Sequence, residues 1–306
     1  MSIVMGLDQH RAQITADWLD TETGEVKRGR VAPADRAGVR RFLERFDGQE
    51  LEVALEATTG WRFVVEELRR VGAIVHLAEP AETAGLRGPK KRARGDRADA
   101  RHLRELLMLE RVPESWIPPD HILDLRARVR LRHMLGEQRS EWQQRIQATL
   151  YHHGCPERRQ LMVGDGRDWL AAQPLSAVAR ERVTVALAMI DALDLQMRPI
   201  EKELRAYARR QAGCRALMAH YGIGELTAVT ILAELGDCTR FSSSRQAVRY
   251  AGMETSTSNC TSCSGDFGFS DVARVRDALP AFLLDGGTVR DPEAVGAVAV
   301  GGELVV

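Results

Sequence analysis

Asp8, Glu56, Asp96 and Asp99 are the residues of this chain whose types and spacing could do chemistry. Asp8 closes the apolar run Ile3-Val4-Met5-Gly6-Leu7, and Glu56 closes a second, Leu51 to Leu55. Asp96 and Asp99 stand three apart at the start of an expected helix, so both point from one helix face. Carboxylates at the ends of neighbouring strands, joined by an acid pair on a helix, can hold two divalent cations about 3.5–4 Å apart, which is what phosphodiester cleavage uses. Mg²⁺ is the expected cofactor, because it takes hard oxygen ligands and keeps water and phosphate in its shell. Four unpaired carboxylates repel one another, so electrostatics alone calls for a cation. Each acid also has a plainer role open to it. Glu56 could pair with an Arg, Asp96 could serve the helix dipole, and Asp99 could pair with the Arg residues beside it. Asp8 has the least room for one, since its strand is read as buried.

The elements that must position these acids alternate strand and helix. Strands are expected at Ile3–Asp8, Gln13–Leu19 and Glu25–Val31, the last two joined by the turn at Glu22-Thr23-Gly24. A helix is expected at Asp35–Phe46, with Val39, Phe42 and Leu43 on one face, then a strand at Leu51–Glu56. A helix at Trp61–Val71 carries Phe63, Val64 and Leu68 as its stripe, and a fifth strand follows at Ala73–Ala78. That order is the order of an RNase H-like α/β fold. Residues 87–94 form a basic loop, in which Lys90, Lys91, Arg92 and Arg94 are candidate nucleic-acid contacts. The acid-bearing helix runs from Asp96 to about Glu110, and Pro113, Pro118 and Pro119 mark a linker.

Beyond the linker the chain is helical. Residues 123 to about 151 are Arg-rich, and Ala177–Arg210 is a long helix. On it Val183, Ala186, Ile190, Leu193, Met197, Ile200, Leu204 and Tyr207 follow a heptad spacing, a coiled-coil seam that packs either between the two long helices or between protomers. Pro199 should kink or split that helix. Further on, Gly222-Ile223-Gly224 opens another helix, as in a helix-hairpin-helix element, so Gly222 and Gly224 are candidate phosphate contacts through exposed N–H groups. From Ser264 to the end there are seven acids, three Arg, no Lys and seven Gly, with poor periodicity, so no fold is assigned there. The expected divisions are 1–112 for the RNase H-like domain, 120–211 for the helical segment, 212–260 for a small C-terminal domain and 261–306 for an acidic tail.

Formal net charge is zero, so global charge names no partner. Local charge does: Arg87 to Arg104 holds eight basic residues against two acids, and Arg126 to Arg145 six Arg against two acids. Such clusters fit a polyanion partner, or else a solvated helix face. No signal peptide or membrane span is expected. Five scattered Cys fit a reducing compartment, and the Cys260/Cys263 pair lacks the second pair a zinc site would need.

Taken in order, these pieces resemble the DEDD-type insertion-sequence transposases, the family that includes the Piv and MooV site-specific DNA invertases. The resemblance rests on Gly6-Leu7-Asp8, Glu56-Ala57-Thr58-Thr59-Gly60-Trp61, and Lys91 through Gly95-Asp96-Arg97-Ala98-Asp99-Ala100. A second block comprises Gly222-Ile223-Gly224, Ala233-Glu234-Leu235-Gly236-Asp237, Phe241 and Tyr250-Ala251-Gly252-Met253. Order and spacing agree from residue 3 to about 258. The resemblance implies a RuvC-like N-terminal domain, a coiled-coil segment and a small transposase domain, with Mg²⁺ held by Asp8, Glu56, Asp96 and Asp99. It also implies a serine nucleophile shortly after Gly252-Met253, homo-oligomers acting on element and target DNA, a structured non-coding guide RNA, and a cytoplasmic location. Ser258 fits the serine best by its Asn neighbour, with Ser256 and Cys260 as alternatives. The basic helix that family members carry next is replaced here by the acidic tail, so a decayed, binding-only copy competes with an active recombinase. A stand-alone structure-selective nuclease would use the same acids. An actin-like ATPase would need a Gly/Thr-rich hairpin after Asp8, where this chain has Gln9-His10-Arg11.

Overall fold

A computed structural model of the chain describes residues 2–87, 95–158, 160–242, 246, 247 and 250. The expected contacts Lys90, Lys91, Arg92 and Arg94, the nucleophile candidates Ser256, Ser258 and Cys260, the Cys260/Cys263 pair and the acidic tail lie outside the described residues. The chain divides into two units, Met1–Ile117 and Pro118–Val306.

The first unit is a mixed five-stranded sheet carrying helices. β1 (Ser2–Gln9), β2 (Ile14–Asp20) and β3 (Val26–Val31) form an antiparallel meander, while β4 (Glu50–Glu56) and β5 (Ile74–Ala78) lie parallel to β1. The strand order β3-β2-β1-β4-β5 is the one expected of an RNase H-like fold. α1 (Arg36–Leu43) starts where the Asp35 carboxylate accepts the Gly38 N–H at 2.7 Å, and α2 (Trp61–Arg70) leads back to β5. Period-two alternation sorts the strand side chains onto two faces. On one, Met5, Leu7, Val53 and Leu55 meet Phe42, Val64 and Leu68 of α1 and α2. On the other, Val4 and Ala54 meet Leu103 and Leu107 of α4 (Asp96–Met108). A short helix α3 (Pro80–Leu86), absent from the sequence expectation, precedes the basic loop and opens with Pro at its first position.

Two buried ion networks tie the layers. Asp17 on β2 receives Arg104 Nε of α4 at 2.6 Å and Arg28 Nε of β3 at 2.9 Å. Glu67 of α2, with no exposed side-chain surface, is ringed by Arg36, Arg40 and Arg70 at 2.7–3.0 Å. Those three guanidiniums, Arg40 foremost, hold its carboxyl down at about 2.

In the second unit the long helices α5 (Asp120–His152) and α7 (Ala177–Arg210) pack on each other. Ion pairs Arg128–Glu203, Arg132–Glu201 and Arg139–Asp194 run in opposite senses along the two helices, which are therefore antiparallel. The heptad seam is buried within the chain: Val183, Ala186, Ile190, Leu193, Met197 and Leu204 are buried, with Ile200 and Tyr207 half-buried. Pro199 does not split α7. It lies on the exposed face, where the Leu195 carbonyl it leaves without an amide donor can meet water. The Arg cluster of α5 is ion-paired within the chain. Arg128, Arg130, Arg132 and Arg139 pair with acids of α7 and of α9 (Glu225–Leu235), Arg126 reaches backbone carbonyls of α9, and Arg145 lies on Glu141 and Trp142. Composition could not reveal this, because the partners lie some fifty to a hundred residues away. Three further helices complete the described unit: α6 (Gly166–Ala171), also unexpected, α8 (Ala212–Met218) and α9 (Glu225–Leu235). Leu217, Val229, Leu232 and Cys238 form one core with Leu125 and Leu204 of the long helices. Among the described residues no helix is long and apolar enough to cross a membrane.

Candidate active site

Parallel pairing of β1 with β4 sets Leu7 opposite Leu55, so Asp8 and Glu56 leave the sheet side by side. Val4, Gly6 and Asp8 share the face that α4 covers. Gly6 is what lets α4 sit close. A Cβ there would fall 2.0 Å from the Ala100 carbonyl oxygen and 2.6 Å from the Arg104 nitrogen, both helix backbone. That close approach delivers the first turn of α4, with Asp96 and Asp99, to the end of β1. Asp8 is thereby within electrostatic reach of Glu56, Asp96 and Asp99.

Asp8 is buried, and its Oδ2 has no hydrogen-bond partner. The His10 Nε2 atom lies 3.2 Å from that oxygen, an ion pair when the ring is protonated, and 3.7 Å from Asp96 Oδ1. Gln13 Nε2 donates to Asp96 Oδ2 at 2.8 Å and fixes its orientation. Asp8, His10 and Asp96 each offer one ligand atom, and those atoms lie within 4.8 Å of one another. On the other side of Asp8, the Arg87 guanidinium pairs with Asp99 and lies 4.0 Å from Glu56 Oε1. Glu56 and Asp99 thus share one arginine, which for Asp99 lies twelve residues upstream and is not one of the Arg residues beside it in sequence.

Electrostatics follow from this crowding. Burial pushes the Asp8 carboxyl up; nearby His10 opposes the shift, while Asp99 and Asp96 add to it. Burial also raises Glu56, with Arg87 opposing and Asp8 adding. Asp96 is lowered, first by the Gln13 hydrogen bond. Desolvation and like charge both disfavour ionised Asp8 and Glu56, and a cation would relieve both effects.

Beside Asp96 an open groove is lined by Gln13, Thr15, Arg28, Arg30 and Arg97. Its basic residues come from the edge strand β3 and the start of α4. Gly222 and Gly224 lie at the turn that opens α9. Gly222 has φ +83°, a turn conformation suited to glycine, and Gly224 caps α9 with buried Ile223 between them. The first turn of α9 already carries an anion, Glu225, bound by Arg209 at 2.5 Å and Arg205 at 3.3 Å.

His10 and Arg87 are the site residues that sequence reasoning missed. His10 had a usable signal, since it follows Asp8 by two positions, the spacing that keeps side chains on one face of an extended chain. Arg87 had none beyond belonging to a basic stretch.

Two family models match. One, described as "Transposase" and named for DEDD transposases of IS110, covers residues 5–154; the other, "Transposase IS116/IS110/IS902 family", covers residues 214–279. The second match carries the family signal past residue 258, where the ordered motifs were expected to stop. "Putative transposase y4qE" of Sinorhizobium fredii (strain NBRC 101917 / NGR234) is 26% identical over 245 residues. That alignment takes in 78% of this chain, and the chain spans 60% of the relative's length. A solved structure of T. thermophilus RuvC, in complex with Holliday junction substrate, matches 38% of this chain and 100% of its own, at 16% identity and a TM-score of 0.26. With two family models of the same insertion-sequence family matched in order along it, the chain belongs to the DEDD-type transposases of the IS110 family.

Proposed function

We propose that the protein is a metal-dependent transposase, cutting and rejoining DNA strands of its insertion sequence at the site formed by Asp8, Glu56, Asp96 and Asp99. The observation that carries this is that buried Asp8, whose Oδ2 has no hydrogen-bond partner, lies close enough to Glu56, Asp96 and Asp99 for their charges to act on one another. The donor set fits Mg²⁺ or a similar hard cation: it is carboxylate-rich, internally repulsive and built on rigid strand ends. Asp8, Glu56, Asp96 and Asp99 would hold it. When bound, such a cation supplies charge to polarise a phosphoryl oxygen and to favour the attacking oxyanion.

The residues of the chain do the rest. Gln13 holds the Asp96 carboxylate in one orientation. Arg87 neutralises Glu56 and Asp99 in the resting protein and would withdraw when a cation takes its place. Arg30 and Arg97 in the groove beside Asp96 are suited to a phosphodiester backbone, which would bring a scissile phosphate to the acids. Lys90, Lys91, Arg92 and Arg94, and the Gly222–Gly224 turn, are proposed as further nucleic-acid contacts. The nucleophile is proposed as Ser258, with Ser256 and Cys260 as alternatives. A guide RNA, a homo-oligomer and a cytoplasmic site of action complete the proposal on the strength of family membership alone.

The test mixes full-length protein, flanking element RNA, Mg²⁺ and paired donor and target DNA, with Asp8→Ala and Ser258→Ala alongside. Joined product that vanishes in both variants supports the proposal in full. Loss in Asp8→Ala alone moves the nucleophile away from Ser258. Cleaved but never joined DNA favours a nuclease, and binding without cleavage a decayed copy.

A further inference from the structure

Three observations at the edge of the acid site converge on a residue outside the four-acid set. His10 Nε2 is 3.2 Å from Asp8 Oδ2 and 3.7 Å from Asp96 Oδ1, while Asp8 Oδ2 is buried and has no hydrogen-bond partner. For metal–ligand bonds of about 2.1 Å, adjacent ligands in an octahedral shell lie about 3.0 Å apart. His10 Nε2 is thus close to one polyhedral edge from each carboxylate oxygen, and all three ligand atoms fall within 4.8 Å. His10 stands just past the end of β1, where its backbone N–H donates to the Gln13 carbonyl at 3.0 Å. That bond closes the turn into β2 and sets the ring on the side of Asp96. The same turn holds Gln13, the residue that orients Asp96. Arg87, by contrast, neutralises the opposite half of the site, Glu56 and Asp99. The half beside His10 is the one whose buried oxygen, Asp8 Oδ2, has no hydrogen-bond partner, and the guanidinium that acts on it, Arg30, bears on Asp96 only through its charge.

We propose that His10 is a nitrogen ligand, through Nε2, to the cation that Asp8 and Asp96 hold. This rests on the metal-site reading above and makes one half of the site chemically distinct from the other. A shell of two carboxylates and an imidazole favours a borderline cation such as Mn²⁺ or Co²⁺ over Mg²⁺, because Mg²⁺ accepts nitrogen reluctantly. The Glu56/Asp99 half, with oxygen donors alone, carries no such preference.

The experiment uses the full chain loaded with Mn²⁺ alone and read by pulsed electron paramagnetic resonance. A directly bound imidazole imprints ¹⁴N modulation on the Mn²⁺ echo. The expected result is ¹⁴N modulation in the native chain and in a His76→Gln control, and none in His10→Gln. Calorimetry on the same samples should show Mn²⁺ affinity falling roughly tenfold or more in His10→Gln, and Mg²⁺ affinity falling less. Bound Mn²⁺ without ¹⁴N modulation in the native chain would overturn the role of His10 while leaving the metal site intact. So would modulation that survives in His10→Gln. If the native chain binds no Mn²⁺ and Asp8→Asn behaves identically, the metal-site reading falls with it.

Discussion

Replacing Gly6 by Ala adds a single methyl group, yet it should damage both the fold and the site. The new Cβ would start 2.0 Å from the Ala100 carbonyl oxygen and 2.6 Å from the Arg104 nitrogen. Ordinary contact begins at 3.4 Å, so α4 must retreat by about 1.4 Å, the difference between 3.4 and 2.0. Both obstacles are helix backbone, so no side chain can swing aside. Overpacking of this kind costs about 1–3 kcal/mol. The retreat also pulls Arg104 from its buried partner Asp17, and weakening a buried ion pair adds to the cost. A loss of about 3 kcal/mol is expected in urea unfolding of the full chain, against a Gly85→Ala control whose added Cβ meets nothing within 4 Å. The same shift carries Asp96 and Asp99 away from Asp8. Misplacement on the order of 1 Å can cost about a hundredfold in a positioned reaction, so DNA cleavage should fall by about that factor. Divalent-cation binding, followed by calorimetry on folded protein, should weaken in parallel. A Gly6→Ala protein within about 0.5 kcal/mol of the native stability, with unchanged cation binding, would refute the claim that this close approach builds the site.

Arg87→Gln leaves Glu56 and Asp99 without their shared cation. Its melting temperature in EDTA should drop, and the rise on adding Mg²⁺ should exceed that of the native chain; an equal rise in both counts against Arg87 as a stand-in for a cation. Asp8→Asn removes a buried carboxylate that pays for its ionisation, so it should raise metal-free stability by about 1 kcal/mol while abolishing activity. Differential scanning calorimetry in EDTA checks the sign. Glu67 is held at about 2 from an ordinary 4.5. A depressed acid stabilises the fold fully above its unfolded value and loses that contribution as pH falls toward the folded one. Its contribution, at most about 3 kcal/mol before screening by water around the half-exposed arginines, should fade between pH 4.5 and about 2. Glu67→Gln should flatten that part of the stability-versus-pH curve, and an unchanged slope would remove Glu67 from the account. Arg104→Met leaves buried Asp17 with Arg28 as its remaining partner and should cost about 1.5–3 kcal/mol, the worth of a hydrogen bond to a charged group, measured by urea unfolding.

The sheet was legible because its strands are apolar runs bounded by turn residues, and the acids were legible because two of those runs end on Asp8 and Glu56. Gly6 was visible as part of the Gly6-Leu7-Asp8 motif but not for what it does, since its role lies in the α4 backbone arriving about a hundred positions later. α3 was passed over because seven residues give too little periodicity, although Pro80 at its start was a usable signal. The Arg residues of α5 were counted as free charge because a local count cannot see Glu201, Glu203, Asp194 and Glu234 folding back onto them. His10 was weighed only for what it excluded, a phosphate hairpin, and not for the face it shares with Asp8. The heptad seam illustrates the opposite case: spacing alone gave its residues, but only the antiparallel helix pair decided that it is buried within the chain.

The central claim is that Asp8, Glu56, Asp96 and Asp99 form a divalent-metal site. Anomalous diffraction at the manganese edge, from crystals of the full chain soaked in Mn²⁺, tests it most directly. The account predicts a peak about 2.0–2.4 Å from carboxylate oxygens of Asp8 and Asp96, lost in Asp8→Asn. Well-ordered carboxylates with no peak among them, at Mn²⁺ concentrations that support catalysis in solution, would contradict it.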